Sequence, residues 1–206
     1  MKLTNKDRSN LFWYLIVPSL SIMTLIISFS PWFFELLVAP AGRVFTGINR
    51  WSGDYFTYLS YVELGRRGQL GAELLATTYP QNPVFAHLAH TLIGYVFGNL
   101  LNLSSVISYH IGRGLFGLIF ILLTFVFFYR ISGSKKISII SFLLVFFVSG
   151  FPKLLSINPF LFGRHFDWLQ EQNIIGRAVG PLHYSAGFIF FILAFLWYFS
   201  PEKNLL

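Results

Sequence analysis

Residues 104–130 read "SSVISYHIGRGLFGLIFILLTFVFFYR", and the orientation of this stretch decides how the chain is arranged. It is long enough to cross the roughly 30 Å hydrocarbon core of a bilayer. Residues 115–129 carry no charge, while His110 and Arg113 sit in the first half and Arg130 closes it. The preceding stretch, residues 84–101, reads "VFAHLAHTLIGYVFGNLL" and is nearly as apolar, but holds His87, His90 and Asn99. If both stretches cross, the connection "ISGSKK" emerges on the outside. If the first lies along the interface, the connection stays inside. Arg130, Lys135 and Lys136 gather there, and Lys and Arg concentrate on the cytoplasmic side of membrane proteins. The sequence therefore predicts an interfacial helix at 84–101 and a span at 104–130.

Composition agrees with a membrane setting. The 206 residues are 55% hydrophobic and 19% aromatic, with 25 Phe, and the mean hydropathy is +0.64. Only 11% are charged, against about 25% in a typical soluble domain. The expected fold class is an all-α integral membrane protein. The chain has no cysteine, which excludes thiolate catalysis and Cys-ligated zinc. Its net charge is +7, but the basic residues are scattered and no soluble module carries them, so nucleic acid is not an expected partner.

Three further spans follow from hydropathy. Residues 11–33 come after Lys2, Lys6 and Arg8, which place the N-terminus inside. Their apolar run exceeds the 7–15 residues of a signal-peptide core, so the helix is expected to be retained. Pro18 and Pro31 are expected to kink or end it. Residues 137–151 return outward and residues 182–199 come back in. The prediction is one membrane domain over 1–206 with four spans, both termini cytoplasmic, in a bacterial plasma membrane. Trp13, Trp32, Trp197 and Tyr198 lie near span ends, as interfacial anchors do. The outer loops are 40–103 and 152–181. The first is expected to hold two interfacial helices, one at 54–68 ended by Gly68 and Gly71, the other started by Pro83.

Polar chemistry collects in these outer loops. Asp54 stands at the start of a helix beside the membrane, where a carboxylate can serve as general base. The plainer reading is that it only favours the helix N-terminus. Tyr58 shares its face, and Glu63, nine residues on, lies on the other side. Arg66, Arg67 and Arg113 are candidates for a lipid phosphate, which matches the guanidinium fork. Helix-end charge pairing and snorkelling are the alternatives for them. Asp167 and Glu171 lie one turn apart and are candidates for Mg²⁺ or Mn²⁺, unless they form a solvated face. His183 opens the last span as a possible proton donor or ligand. His87 and His90 share a helical face, but no acid lies near them in sequence to complete a zinc site.

The segment "GDYFTYLSYVELGRRGQL", with Asp54, Tyr58, Glu63 and Gly68, resembles the start of the first outer loop in the GT-C superfamily of multi-span glycosyltransferases. The stretch from "YPQNPVFAHLAH" through "IGRGLFGLIF" is similar to that family's interfacial helix and Arg-bearing span. "LQEQNIIGRAVGPLHYSAGFIFFILAFL" resembles its second loop and following span. Tyr55 stands where many members have a second acid. Members are usually at least twice as long, so the chain resembles their N-terminal part only. The resemblance implies transfer of a sugar from a polyprenyl-phosphate donor at the bilayer surface, with inversion. It assigns the base to Asp54, phosphate binding to Arg66, Arg67 and Arg113, substrate contacts to Tyr58, Glu63 and His183, and a metal to Glu171 with Asp167. A non-catalytic membrane binding protein and a transporter fragment are the rival expectations.

Overall fold

The computed structural model describes residues 11–38, 42, 52–73, 78–80, 82–147 and 180–199. Every regular element among them is helical, apart from one isolated antiparallel bridge between Ala72 and Val84.

Helix α1 opens with a wide π-helical turn, Phe12–Ile16, and runs on as Val17–Leu37. It runs through both prolines and ends at neither. The wide turn closes with the Val17 N–H on the Phe12 carbonyl, so Pro18 enters in the first α-helical turn, where a missing N–H is tolerated. A proline at 31 leaves the Ile27 carbonyl without its usual donor, and the Ser30 hydroxyl donates to that carbonyl at 2.7 Å. Ser21, Thr24 and Ser28 likewise donate back to carbonyls four residues earlier, so the hydroxyls add no unsatisfied group to an apolar helix.

Helix α2 spans Ser52–Arg66, with Asp54 in its first turn and Arg66 in its last, both matched to the helix dipole. It stops where Gly68 adopts a left-handed φ of 88°. The Gln69 N–H then donates to the Leu64 carbonyl at 3.0 Å and the Gly68 N–H to Gly65 at 2.9 Å, a Schellman closure that needs a residue without Cβ strain. The next helical segment comprises a tight turn, Phe85–His87, then α3, Leu88–Ile93, then a π-helical stretch, Gly94–Leu100. Pro83 lies ahead of it rather than in its first turn, because Val84 is extended and exchanges two backbone hydrogen bonds with Ala72.

Helix α4, Ser105–Ser132, is capped by the Ser104 side chain, which accepts the Ile107 N–H at 3.3 Å. At 1.5 Å per residue it is about 42 Å long. It ends on left-handed Gly133, and Ser134 accepts from Ile137 N–H to begin α5, Lys135–Phe147. Helix α6 is Leu182–Tyr198. The apolar stretches of α1 and α4, Phe12–Ser30 and Ser105–Ser132, are long and apolar enough to cross a membrane, and α6 is a shorter apolar helix. Residues 148–151 of the expected third span lie outside the described residues.

Ring contacts give the directions. Trp13 meets Tyr129 at 5.0 Å while Phe29 lies under Arg113, so α1 runs antiparallel to α4. Phe125 stacks on Phe142 at 3.8 Å and Phe120 meets Phe146, so α5 is antiparallel to α4 as well. Phe120 also packs on Phe188 and Phe127 on Phe195, which makes α6 parallel to α4. One end of the bundle carries Arg130, Lys135 and Lys136 at the α4–α5 turn. The other carries a head built from α2, the α3 segment and the first turns of α4 and α6. A phenylalanine-rich core fills the bundle, and a second cluster, Tyr55, Val62, Ile93, Tyr109 and Leu182, joins it to the head.

The head is held together by unusually close helix contact. A Cβ on Gly65 would run into the Thr91 carbonyl, and a Cβ on Gly94 into that of Val62. The two glycines let α2 and the α3 segment touch backbone to backbone.

Candidate functional site

The polar side chains of the head form three groups along α2. At its N-terminal end Asp54 is exposed and forms no hydrogen bond or ion pair among the described residues. Its carboxylate stands within electrostatic reach of Tyr58, one turn on, and of His183 at the start of α6. The Tyr58 ring lies 5.0 Å from His183, and His183 lies 4.4 Å from the exposed Tyr184. Burial and then the Asp54 charge push the Tyr58 hydroxyl pKa upward, so it stays protonated. The tertiary structure thus brings together three residues that the sequence assigned to one site: Asp54, Tyr58 and His183.

At the other end of α2, Glu63 is claimed by its own neighbours. Arg66 donates through Nε to Oε2 at 2.7 Å and through Nη2 to Oε1 at 2.8 Å. Arg67 Nε donates to Oε1 at 2.9 Å, and Ser105 at the head of α4 donates its hydroxyl to Oε2. The Arg66 hydrogen bonds are the main reason the Glu63 pKa falls to about 2, and burial opposes them. Asn99 adds a hydrogen bond to the Arg66 carbonyl. In this arrangement Glu63 ties the end of α2 to the start of α4. The guanidinium of Arg67, 64% exposed, keeps donors facing outward. Nine residues at 1.5 Å each put this group about 13 Å from Asp54 along the helix, so the two acids belong to separate places.

The third group lies beneath, where the head meets the bundle. Arg113 Nη1 donates to His110 Nδ1 at 3.1 Å, and Arg113 Nε donates to the Gly180 carbonyl at 3.2 Å. An arginine only donates, so Nδ1 is the acceptor and the His110 proton sits on Nε2, 3.2 Å from the Tyr55 hydroxyl. The guanidinium also lies over the Phe29 and Tyr109 rings, and Trp32 packs on His110 at 4.9 Å. Arg113 is therefore bound into the protein, linking α4 to the entrance of α6.

Between these groups lies His90, which sequence reading weighed only for zinc. It is fully buried. Tyr58 stacks on it at 4.9 Å and Tyr109 lies parallel to it at 6.2 Å. His87 and His183 stand 5.7 and 5.8 Å away, ring centre to ring centre. Among the described residues neither ring nitrogen of His90 has a hydrogen-bond partner, and the same holds for the buried Nδ1 of His183. Burial is the main cause of a His90 pKa lowered to about 3. No group of three His, Asp or Glu side chains among the described residues is placed to hold a metal ion. Asp167 and Glu171, the predicted metal pair, lie outside the described residues. Beyond His87, which stacks on Tyr61 at 4.1 Å, a shallow groove of about 320 Å³ runs between Glu73, Asn82 and Val84.

The helical spacing of His87 and His90 was visible in sequence. Their meeting with His183, a whole domain away along the chain, was not. Compared with protein families, curated proteins and solved structures, the chain matches none.

Proposed function

We propose that this chain is a multi-pass membrane protein that crosses the bilayer four times, through α1, α4, α5 with the residues after it, and α6. In this reading the basic α4–α5 turn faces the cytoplasm and the head faces outward, in keeping with the positive-inside rule. The alternating directions of the four apolar helices support it, because both termini then fall on one side.

We further propose that the head transfers a sugar from a polyprenyl-phosphate donor to an acceptor. The observation that carries this is the state of Asp54: an exposed carboxylate with no partner among the described residues, beside Tyr58 and His183, at the rim of an apolar bundle. Asp54 takes the proton of an acceptor hydroxyl or amine. The freed electron pair forms the bond to the anomeric carbon, and the bond from that carbon to the phosphate oxygen breaks. The polyprenyl phosphate leaves with those electrons and inversion results. Tyr58 and Tyr184 offer aromatic faces for the sugar, while Arg67, thirteen residues beyond Asp54 and so about 20 Å away along the helix, stands too far off to hold the leaving phosphate. Any Mg²⁺ or Mn²⁺ requirement would rest on Asp167 and Glu171.

The test uses the whole chain in nanodiscs with polyprenyl-phosphate-linked mannose, aminoarabinose and galacturonic acid as donors. Transfer or donor hydrolysis in the wild type and its loss in Asp54→Asn at equal folded yield would support the reading. Equal turnover in both proteins would remove Asp54 from the chemistry. A non-catalytic membrane binding protein is the second reading. It is favoured by Glu63, whose carboxylate is already taken up by Arg66, Arg67 and Ser105.

A further inference from the structure

Among the described residues His90 has no hydrogen-bond partner to explain its burial. A fully buried imidazole normally satisfies at least one nitrogen, and an orphaned pair calls for a reason. Four helical elements enclose it. Helix α2 contributes the rings of Tyr58 and Tyr61, with Asp54 at the rim. Helix α4 contributes Tyr109, with Arg113 one ring further on. Helix α6 contributes His183, with Tyr184 behind it. Its own segment contributes His87. The enclosure therefore holds a second and a third imidazole and, beyond Tyr109, a guanidinium. Among the described residues two carboxylates stand at its edges: Asp54, which is exposed and acts on Tyr58 and His183, and Glu73, which lines the groove beside His87 and Tyr61.

Such an enclosure accepts a neutral ring and rejects a charged one. A proton on His90 would place an ion in an apolar, aromatic space next to two other protonatable rings. The α3 segment has irregular geometry: a tight turn, six α-helical residues and a π-helical stretch. It is joined to α2 through bare backbone at Gly65 and Gly94 and through the rings of His90 and His87, which stack on Tyr58 and Tyr61.

We infer that His90 is an acid-operated latch: neutral, it seals the α3 segment against α2, α4 and α6, and its protonation releases that segment and lets water in behind Tyr58 and His183. The sign follows from linkage. The closed state lowers the His90 pKa and the open state restores the ordinary value of about 6.5. Closure is therefore fully favoured above about pH 6.5, and weakens about tenfold per proton and per pH unit below it, down to the closed-state value. His87 shares the enclosure and adds to the same slope, whereas His110, whose Nδ1 accepts from Arg113, lies in another group. The inference stands on the packing of the head and does not depend on glycosyl transfer.

The experiment is hydrogen exchange on the full chain in nanodiscs between pH 4.5 and 7.5, followed in peptides covering residues 85–100. Opening constants are corrected for the intrinsic pH dependence of exchange. The expected result is an opening constant that rises as pH falls below about 6.5, with a slope of one or more protons. His90→Phe keeps the ring stack and His90→Gln keeps a neutral polar group, and each should reduce that slope by one. His110→Gln should leave it unchanged. A wild-type opening constant independent of pH, or a slope unaltered in whichever of the two His90 variants folds, would overturn the latch.

Discussion

The carboxylate of Glu63 and the guanidinium of Arg66 face each other fork to fork, with two hydrogen bonds of 2.7 and 2.8 Å across one helical turn. Arg67 and Ser105 complete the set, so one acid joins the last turn of α2 to the first residue of α4.

Glu63→Gln is expected to lower thermal stability in detergent by about 1–2 kcal/mol, the scale of hydrogen bonds to a charged group, reduced by the exposure of the arginines. The folded-state pKa lies below the ordinary 4.5, at about 2. The carboxylate's contribution is therefore present above about pH 4.5 and is lost as pH falls towards 2. Melting curves of both proteins should converge in that acid range. Parallel curves throughout would show that the cluster does not hold the head to the bundle.

The backbone contact between α2 and the α3 segment predicts a sharp difference among glycines. Gly94→Ala would press a methyl into the Val62 carbonyl and should cost about 3 kcal/mol or more, since backbone has no rotamer with which to yield. Gly187→Ala in α6 meets nothing within 4 Å and should be neutral or stabilising by up to about 1 kcal/mol through helix propensity. Chemical or thermal unfolding of the two variants, side by side, decides the point. Similar melting temperatures would mean that the helices cross further apart.

Phe125 and Phe142 are fully buried and stack at 3.8 Å, pinning α5 to α4. Phe142→Ala is expected to destabilise by about 3–5 kcal/mol. Phe142→Leu, which retains most of the volume, should lose clearly less. Both are read from unfolding midpoints, and a mild effect for the alanine variant would count against this packing.

Asp54→Asn should leave stability within about 0.5 kcal/mol of wild type, because the side chain is exposed and unpaired among the described residues and such surface changes are small. If the head transfers sugar, the same change should reduce turnover at least about 100-fold, the contribution of a general base. A variant that melts normally but turns over normally would leave Asp54 as a helix-start residue.

Local rules made much of the fold readable. The two longest apolar helices follow directly from charge-free runs, and Gly68 marks the end of α2 by its own chemistry. That neither proline ends α1 was not readable from local propensity, which cannot see that the hydroxyl of Ser30 reaches the carbonyl that a proline at 31 leaves free.

What the sequence by itself determined was the class of molecule: an apolar, helical chain whose acids collect between its hydrophobic runs. What only the tertiary structure decided was which of those polar groups meet. Asp54 and His183 are far apart in the chain and become neighbours because α6 enters beside α2. Glu63 and Asp54 are close in the chain and are parted because a helix carries them to opposite ends. His90 becomes a buried, unpartnered base only when α2, α4 and α6 close around it, and no spacing along one strand of chain can state a burial made by four.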